Sequence, residues 1–229
     1  MKLPEVKIAK DIGIGSKDAL VIIDVQKDFM PSGALPVVEG DLVVPGINKL
    51  IEKFHAAENS IVLTQDWHTP DHQSFASSHE GKKPYEPFST DGIGPILWPD
   101  HCVRGTSGAE FHRALNTEFA RLIIRKGANP KIDSYSAFIE NDKKTETGLS
   151  GYLRTIGVKR IFLCGLALDY CVFYTAMDGK NLGFDVVLAI DLTRPVGAPE
   201  GIVDRALLDM TAKGIVFTNA NQVSKESPS

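Results

Sequence analysis

The sequence predicts an α/β fold with three layers, α/β/α, around a central and mostly parallel sheet of six strands. Short apolar, β-rich segments alternate with helical patterns along most of the chain, which is typical of such sheets. The predicted strands cover 19–23, 60–65, 121–125, 160–164, 184–190 and 215–218. The predicted helices cover 46–57, 149–157, 171–181 and 199–213. A length of 229 residues suits one domain, 1–229, with one core.

The elements of the first half each have a local signal. The segment ALVII over 19–23 is continuously apolar and ends in Asp24, which is typical of a buried strand. The next segment places its apolar residues at helical spacing on one face: Ile47, Leu50, Ile51 and Phe54. SIVLTQ over 60–65 and RLIIR over 121–125 again have the composition of strands.

The second half repeats the alternation. RIFLC over 160–164 and FDVVLAI over 184–190 are strand-like, and a helical segment follows each of them. Gly183 is a plausible stop for the helix 171–181. The short apolar segment 215–218 predicts the last strand.

Three segments lie outside this alternation. Residues 74–105 are rich in Pro, Gly, His, Ser and Asp, and a long irregular segment inside an α/β domain is usually functional. The segment 78–94 lies within it, and its role is left open. We expect 1–17 to be an N-terminal extension and the polar tail 219–229 to be frayed.

The composition excludes several classes of protein. Hydrophobic residues make up 43% and charged residues 24%, which is ordinary for a globular domain and excludes a disordered chain. A net charge of −4 provides no basic field, so we expect no nucleic-acid partner. No apolar segment approaches the ~20 residues that span a bilayer, and the first residues lack the pattern of a secretory signal. We therefore expect a cytoplasmic protein without a membrane partner, and the formation of a homo-oligomer is left open.

Cys102, Cys164 and Cys171 are the three cysteines of the chain. An odd and small number argues against a disulfide framework, so we expect free thiols. Cys164 lies within a predicted strand, and Cys102 follows His101, one of the candidate metal ligands described below. We expect structural roles for both cysteines. Cys171 differs because it stands at the start of a predicted helix.

An acid, a base and a thiol follow the predicted strands. Asp24, Lys126 and Cys171 would meet where the carboxyl ends of parallel strands meet. A thiol of pKa ~8.5 needs a nearby positive charge or a helix N-terminus to become a thiolate. A carboxylate can accept its proton, and backbone N–H groups around Ala167 and Cys171 can bind an oxyanion. The set describes acyl transfer through a thioester, although Asp24 could be a turn residue and Lys126 a solvated strand end.

A second group of residues has the composition of a metal site. Asp66, His68, His72 and His101 combine imidazoles with a carboxylate, which suits zinc, iron or manganese. The alternative is that His68 and His72 are surface loop residues.

Five segments together resemble the nicotinamidases (pyrazinamidases) of the isochorismatase-like cysteine hydrolases, over about 19–217. These segments are Asp24-Val-Gln-Lys-Asp-Phe29, Gln65-Asp-Trp-His68 with His72, Trp98-Pro-Asp-His-Cys-Val103, Lys126-Gly-Ala128 and Gly165-Leu-Ala-Leu-Asp-Tyr-Cys171. The resemblance implies a parallel sheet flanked by helices. It also implies hydrolysis of nicotinamide to nicotinate and ammonia, with pyrazinamide as a second substrate.

The resemblance also implies residue roles. The implied catalytic triad is Asp24, Lys126 and Cys171, with oxyanion N–H groups from Ala167 and Cys171 and a cis peptide bond before Ala167. The implied ligands of one divalent metal ion, zinc first and iron or manganese as alternatives, are Asp66, His68, His72 and His101. The implied aromatic slot for the pyridine ring is Phe29, Trp98 and Tyr135. The alternatives are a related cysteine amidohydrolase for another small amide, a non-catalytic metal-binding protein of this fold, and a non-covalent isochorismate hydrolase.

Overall fold

The computed structural model describes residues 6–225 and contains nine strands and four α-helices in that range. The strands are β1 (Ile8–Ala9), β2 (Ile12–Ile14), β3 (Asp18–Ile23), β4 (Ser60–Asp66), β5 (Leu122–Lys126), β6 (Arg160–Leu166), β7 (Asp185–Arg194), β8 (Val216–Thr218) and β9 (Val223–Lys225). The helices are α1 (Val44–Ala56), α2 (Leu149–Thr155), α3 (Phe173–Asn181) and α4 (Ile202–Ala212).

Seven strands form the main sheet, in the order β1-β8-β7-β6-β3-β4-β5, and all neighbours are parallel. Helices flank this sheet, so the predicted fold class is confirmed. The number of strands is corrected from six to seven. The additional strand, β1, has two residues, too few for a pattern in the sequence, and it forms because Ile8 and Ala9 pair with Phe217 and Thr218.

The strand β3 lies inside the sheet and all six of its residues are buried. It pairs with β6 on one side and β4 on the other. A strand covered on both faces does not alternate between apolar and polar residues, which explains the continuous ALVII segment. Asp24, which directly follows this strand, therefore lies in the interior of the protein.

A second, two-stranded sheet joins β2 to β9 in parallel register. This corrects the expectation of a frayed tail for residues 219–225, because Val223 is fully buried and Lys53 Nζ donates to the carbonyl oxygens of Ala220 and Val223 at 2.8 and 2.7 Å. Residues 1–5 and 226–229, which belong to the predicted extension and tail, lie outside the described residues.

The helix α1 contacts β3 and β4 through the face that the sequence predicts. The apolar residues of this face are all buried: Ile47, Leu50, Ile51 and Phe54. The helix α3 begins at Phe173, two residues later than predicted, because Leu168–Val172 form one turn of π-helix. Cys171 therefore lies in a widened turn that precedes α3.

The irregular segment 74–105 folds back on itself through isolated bridges between Phe75 and Trp98, Pro87 and Ile96, and Thr90 and Ile93. Backbone hydrogen bonds fix Trp98 in this segment: its N–H donates to Ser74 O at 2.8 Å, and its own carbonyl accepts from the Ala76 N–H at 2.8 Å. Between residues 6 and 225, none of the helices has the length and apolar character needed to cross a bilayer.

Candidate active site

The site is built where four neighbouring parallel strands end. Asp24 directly follows β3, Asp66 is the last residue of β4, and Lys126 is the last residue of β5. Ala167 directly follows β6 and leads into the turn that holds Cys171. Because carboxyl ends of parallel strands meet at one edge of a sheet, these side chains converge as the sequence predicts.

Asp24, Lys126 and Cys171 are brought together in the interior. Lys126 Nζ lies 2.8 Å from Asp24 Oδ2 and 3.4 Å from Cys171 Sγ. Asp24 and Lys126 are fully buried and Cys171 is 6% exposed. Thr64 Oγ1 donates to Asp24 Oδ1 at 2.6 Å, which fixes the orientation of the carboxylate.

Lys126 is held as an ammonium by its surroundings. Burial alone would lower its pKa, but the carboxylates of Asp24 and Asp66 outweigh this effect and raise the pKa well above its usual value. Lys126 Nζ forms an ion pair with Asp66 Oδ1 and also donates to Ser134 O at 2.9 Å. Its positive charge therefore faces the thiol at every physiological pH.

Burial raises the pKa of the Cys171 thiol well above its usual value, and Lys126 acts in the opposite direction. Burial also raises the pKa of Asp24, against the influence of Lys126. A carboxylate whose pKa is raised is a stronger proton acceptor than one exposed to water. The resting thiol and its acidic neighbour are thus arranged for a proton transfer during the reaction.

The turn that carries Cys171 approaches Asp24 because of Gly165. This glycine pairs with Ile23 across β3 and β6 and has φ +109°. A Cβ at this position would lie 2.1 Å from Ile23 O, so only glycine allows the two strands to come this close. The peptide bond between Leu166 and Ala167 is cis, as the family resemblance implies.

A small cavity lies beside this group. Its wall contains the three aromatic residues that the sequence analysis singles out, Phe29, Trp98 and Tyr135, together with Ala167 and Cys171. Trp98 Nε1 donates to Tyr135 Oη at 3.0 Å, and Tyr135 Oη donates to Gly94 O at 2.9 Å. The polar groups of Trp98 and Tyr135 therefore have partners within the protein, and their rings contribute apolar surface to the cavity wall.

The four predicted metal ligands fall into two overlapping groups. Ligand atoms of Asp66, His68 and His101 lie within 4.8 Å of one another, and so do those of His68, His72 and Asp133. His101 Nε2 is 3.7 Å from Asp66 Oδ2. His72 is thus displaced from the first group, and its Nδ1 faces Ser74 Oγ at 2.7 Å.

The first group fits a divalent metal ion on physical grounds. His68 Nδ1 is buried and has no hydrogen-bond partner among residues 6–225, which is costly unless a ligand occupies that position. The buried carboxylates Asp24, Asp66 and Asp133 outnumber the nearby ammonium of Lys126, so a cation would offset surplus negative charge. Imidazole and carboxylate donors suit a divalent ion of the first transition row.

Asp133 is a site residue that the sequence analysis missed. It is buried, lines the cavity, and its Oδ1 lies 3.3 Å from His68 Nε2. The signal that would have found it is its position two residues before Tyr135, in a loop already assigned to the site. Tyr170, Val196 and Leu35 also line the cavity and were not predicted.

The two remaining cysteines do not line the cavity. Cys102 and Cys164 are buried free thiols, and burial raises the pKa of both. The Cys102 N–H donates to Asp28 Oδ2 at 2.7 Å, which fixes the loop that carries His101.

Comparison with known proteins defines the class of protein. A family model described as the isochorismatase domain matches residues 18–222. The nicotinamidase of Acinetobacter baylyi is 43% identical over 197 residues, which cover 86% of this chain and 90% of that protein. The nicotinamidase of Escherichia coli K12 is 39% identical over 196 residues, covering 86% and 92%. The chain therefore belongs to the isochorismatase family, and within it to the nicotinamidases.

Solved structures agree with this assignment. A nicotinamidase and pyrazinamidase of Acinetobacter baumanii matches with a TM-score of 0.86 and 42% identity, covering 90% of this chain and 98% of that one. The pyrazinamidase of Pyrococcus horikoshii in complex with zinc matches with a TM-score of 0.72 and 39% identity, covering 89% and 99%. The resemblance stated from the sequence motifs is thus confirmed.

Proposed function

We propose that this protein is a nicotinamidase, which hydrolyses nicotinamide to nicotinate and ammonia through a thioester on Cys171. One observation carries the proposal: the buried group of Asp24, Lys126 and Cys171 adjoins the same aromatic cavity as the cation site. Binding alone would not require a nucleophile with a proton-accepting carboxylate and an ammonium beside it. The nicotinamidases and pyrazinamidases among the relatives support the choice of substrate.

Binding precedes chemistry in this mechanism. The pyridine ring lies between Phe29 and Trp98, against Tyr135, because these rings line the cavity and a flat aromatic ring stacks on them. The carboxamide then lies over Cys171, which lines the same cavity. The three aromatic side chains and the thiol are all buried, so the bound ring and carboxamide are shielded from bulk water.

Acylation uses the three buried side chains. Asp24 accepts the proton of the Cys171 thiol, and Lys126 stabilises the thiolate across 3.4 Å. The sulfur attacks the carboxamide carbon, and the backbone N–H groups of Ala167 and Cys171 bind the oxyanion. Asp24 then returns the proton to the departing nitrogen, ammonia leaves, and the acyl group remains on sulfur as a thioester.

Deacylation reverses these roles. Asp24 takes a proton from a water molecule, whose oxygen attacks the thioester carbon, and nicotinate leaves as the thiol is regenerated. The ring and carboxamide that nicotinamide shares with pyrazinamide make pyrazinamide a second substrate in this proposal.

We assign the divalent metal ion to Asp66, His68 and His101, with His72 and Asp133 beside them. When bound, such an ion supplies a positive charge that orients a substrate nitrogen or a water molecule. We propose zinc, with iron or manganese as alternatives, because mixed imidazole and carboxylate donors suit all three. Burial lowers the pKa of His72 to about 4, so its imidazole is neutral at pH 7.

On the grounds given from the sequence, we also propose that the protein is cytoplasmic and that residues 1–229 form one domain. The four strands that deliver the site residues are neighbours in one sheet, which supports the second proposal.

The test is a deamidation assay on purified protein, with ammonia release from nicotinamide compared with that from pyrazinamide and a panel of aliphatic amides. Cys171→Ala should bind nicotinamide but lose at least ~1,000-fold in turnover, because removal of a covalent nucleophile is among the most costly substitutions. The control is Cys164→Ala, which removes a buried thiol outside the site and should retain turnover. Near-normal turnover by Cys171→Ala, or a preference for aliphatic amides, would contradict the proposal.

A further inference from the structure

The wall of the substrate cavity contains a residue, Val196, that the mechanism above does not use. Its lining residues in the described part of the chain are buried, with the exception of Val196, which is partly exposed. Val196 belongs to the connection between β7 and α4, and we call its residues 195–199 the strap. Val196 is therefore the lining residue at which the wall of the cavity reaches the protein surface.

The strap is tied to the turn that carries the nucleophile. Asp169 Oδ1 accepts a hydrogen bond from the Val196 N–H at 2.9 Å, and Asp169 Oδ2 accepts one from the Gly197 N–H at 2.7 Å. The next residue, Tyr170, donates from its hydroxyl to Ala198 O at 2.6 Å. Both residues lie in the Leu168–Val172 turn together with Cys171.

These hydrogen bonds to the strap account for the buried carboxylate of Asp169. Its side chain is 1% exposed, and between residues 6 and 225 no cationic group lies within ion-pair distance of it. A buried carboxylate without a cation is costly unless strong hydrogen bonds compensate for it. Both of its oxygens are committed to consecutive N–H groups of the strap, so its effect is to fix the strap backbone.

We propose that Val196 is a specificity-determining residue in the cavity wall and that Asp169 is the positioning residue that holds it there. The inference rests on the proposed function, because it concerns the same cavity and substrate class. The Val196 side chain limits the size of substituents that an aromatic carboxamide can carry on its ring. Because the strap is bonded to the turn of Cys171, this limit applies at a fixed distance from the sulfur.

The first test changes the size of the side chain at position 196. Val196→Ala should increase kcat/KM for methyl- and ethyl-substituted nicotinamides relative to nicotinamide by about 10-fold or more, the range for one or two methylene groups in a fitted pocket. Val196→Phe should raise KM for nicotinamide more than it lowers kcat. The ratio of kcat/KM for substituted nicotinamides to kcat/KM for nicotinamide is compared with that of the wild-type protein. A change of less than about 2-fold in this ratio for both variants would overturn the role of Val196.

The same amides are also measured as equilibrium dissociation constants on the Cys171→Ala protein, with and without Val196→Ala. This readout does not need turnover. The wild-type protein could fail to hydrolyse nicotinamide while the size selectivity in binding still depends on residue 196. In that case the proposed function is wrong and the proposed role of Val196 is supported. If nicotinamide is hydrolysed but binding shows no such size selectivity, the proposed role of Val196 is wrong and the proposed function is supported.

The second test addresses Asp169. Asp169→Asn keeps the volume but replaces one acceptor oxygen by a donor, so one of the two strap hydrogen bonds is lost. The matched control is Asp142→Asn, since Asp142 Oδ1 accepts the N–H groups of Lys144 and Thr145 in an exposed turn. Asp169→Asn should relax selectivity as Val196→Ala does, and the double variant should show less than the product of the two effects, because both act on the strap.

A merely structural role of Asp169 predicts a different outcome. In that case Asp169→Asn would lower kcat/KM for every amide by the same factor, or the effect of the double variant would equal the product of the two single effects. Either result would overturn the assignment of Asp169 as a positioning residue. If Asp169→Asn does not fold, Asp169→Glu keeps the charge and both acceptors but shifts the strap. Altered size selectivity in that variant supports the proposal, and unaltered selectivity overturns it.

Discussion

At the scale of single residues, Lys126 connects the acid, the thiol and the metal ligands. Its ammonium is paired with two buried carboxylates, those of Asp24 and Asp66. Both carboxylates are buried, so hydration from bulk water cannot fully replace the lost interaction. The residue is therefore needed for folding as well as for chemistry.

Lys126→Met should destabilise the protein by about 3–5 kcal/mol, because it leaves buried carboxylates without their cation. It should also abolish ammonia release. The control is Lys27→Met, which breaks an exposed pair with Glu110 and should cost less than about 1 kcal/mol. Urea unfolding measures both, and equal costs would show that the buried network does not depend on the ammonium.

Gly127 links the backbone after β5 to the metal site. Its φ is +71°, and a Cβ there would lie 2.8 Å from His68 Nε2. Gly127→Ala should therefore move His68 and lower the metal content per protein chain. Gly157→Ala is the matched control, since its φ is +78° and a Cβ would meet nothing within 4 Å.

Both alanine variants should lose ~1 kcal/mol of stability for the backbone alone. Only Gly127→Ala should lose metal in elemental analysis after gel filtration. Equal metal content in the two variants would show that His68 does not depend on the glycine.

At the scale of elements, the sequence predicted those strands and helices that carry a local signal. The segment ALVII of β3 and the apolar face of α1 are examples, because burial on both faces or on one face leaves a pattern in adjacent residues. The strands β1, β2 and β9 have two or three residues each and exist because they pair with partners far along the chain. No local pattern could reveal them.

The candidate site was predicted to a similar extent. Residues at strand ends, such as Asp24 and Lys126, follow from topology, since parallel strands end at one edge. Asp133 was missed because it lies in a loop without periodicity, and its approach to His68 depends on the fold of 127–135. The separation of His72 from Asp66 and His101 was missed because spacing of four residues in a loop fixes no direction.

The pairing of β9 with β2 gives a prediction at this scale. Val223→Ala should cost roughly 1–3 kcal/mol, because the side chain is fully buried. Val38→Ala is the control, since Val38 is 74% exposed and should cost under about 0.5 kcal/mol. Thermal unfolding compares the two, and an unchanged Tm for Val223→Ala would restore the interpretation of a frayed tail.

At the scale of the whole molecule, the buried carboxylates of the site make the free energy of unfolding depend on the bound divalent metal ion. An ion that binds only the native state stabilises it by about 2.7 kcal/mol when its free concentration is 100 times Kd. For a protein of this length that corresponds to ~5–10 °C in Tm. Chelation should therefore lower Tm by about this amount and stop ammonia release.

Re-addition of zinc, iron or manganese should restore both properties, and the ion that restores them at the lowest free concentration identifies the natural one. The control is His101→Ala, whose Tm should be low from the start and insensitive to the chelator. A wild-type Tm that does not respond to chelation would show that the ion plays no part in the native state.

The order of the strands along the chain sets the order in which the site residues are made during synthesis. The strands β3, β4 and β5 precede β6, and with them come Asp24, the metal ligands and Lys126. The strand β6, which ends at Leu166 and precedes Cys171, is made after β5 and pairs with β3 on the side opposite β4. A chain still attached to the ribosome therefore contains its catalytic carboxylate, its ammonium and its cation ligands before the sulfur of Cys171 that makes it an enzyme.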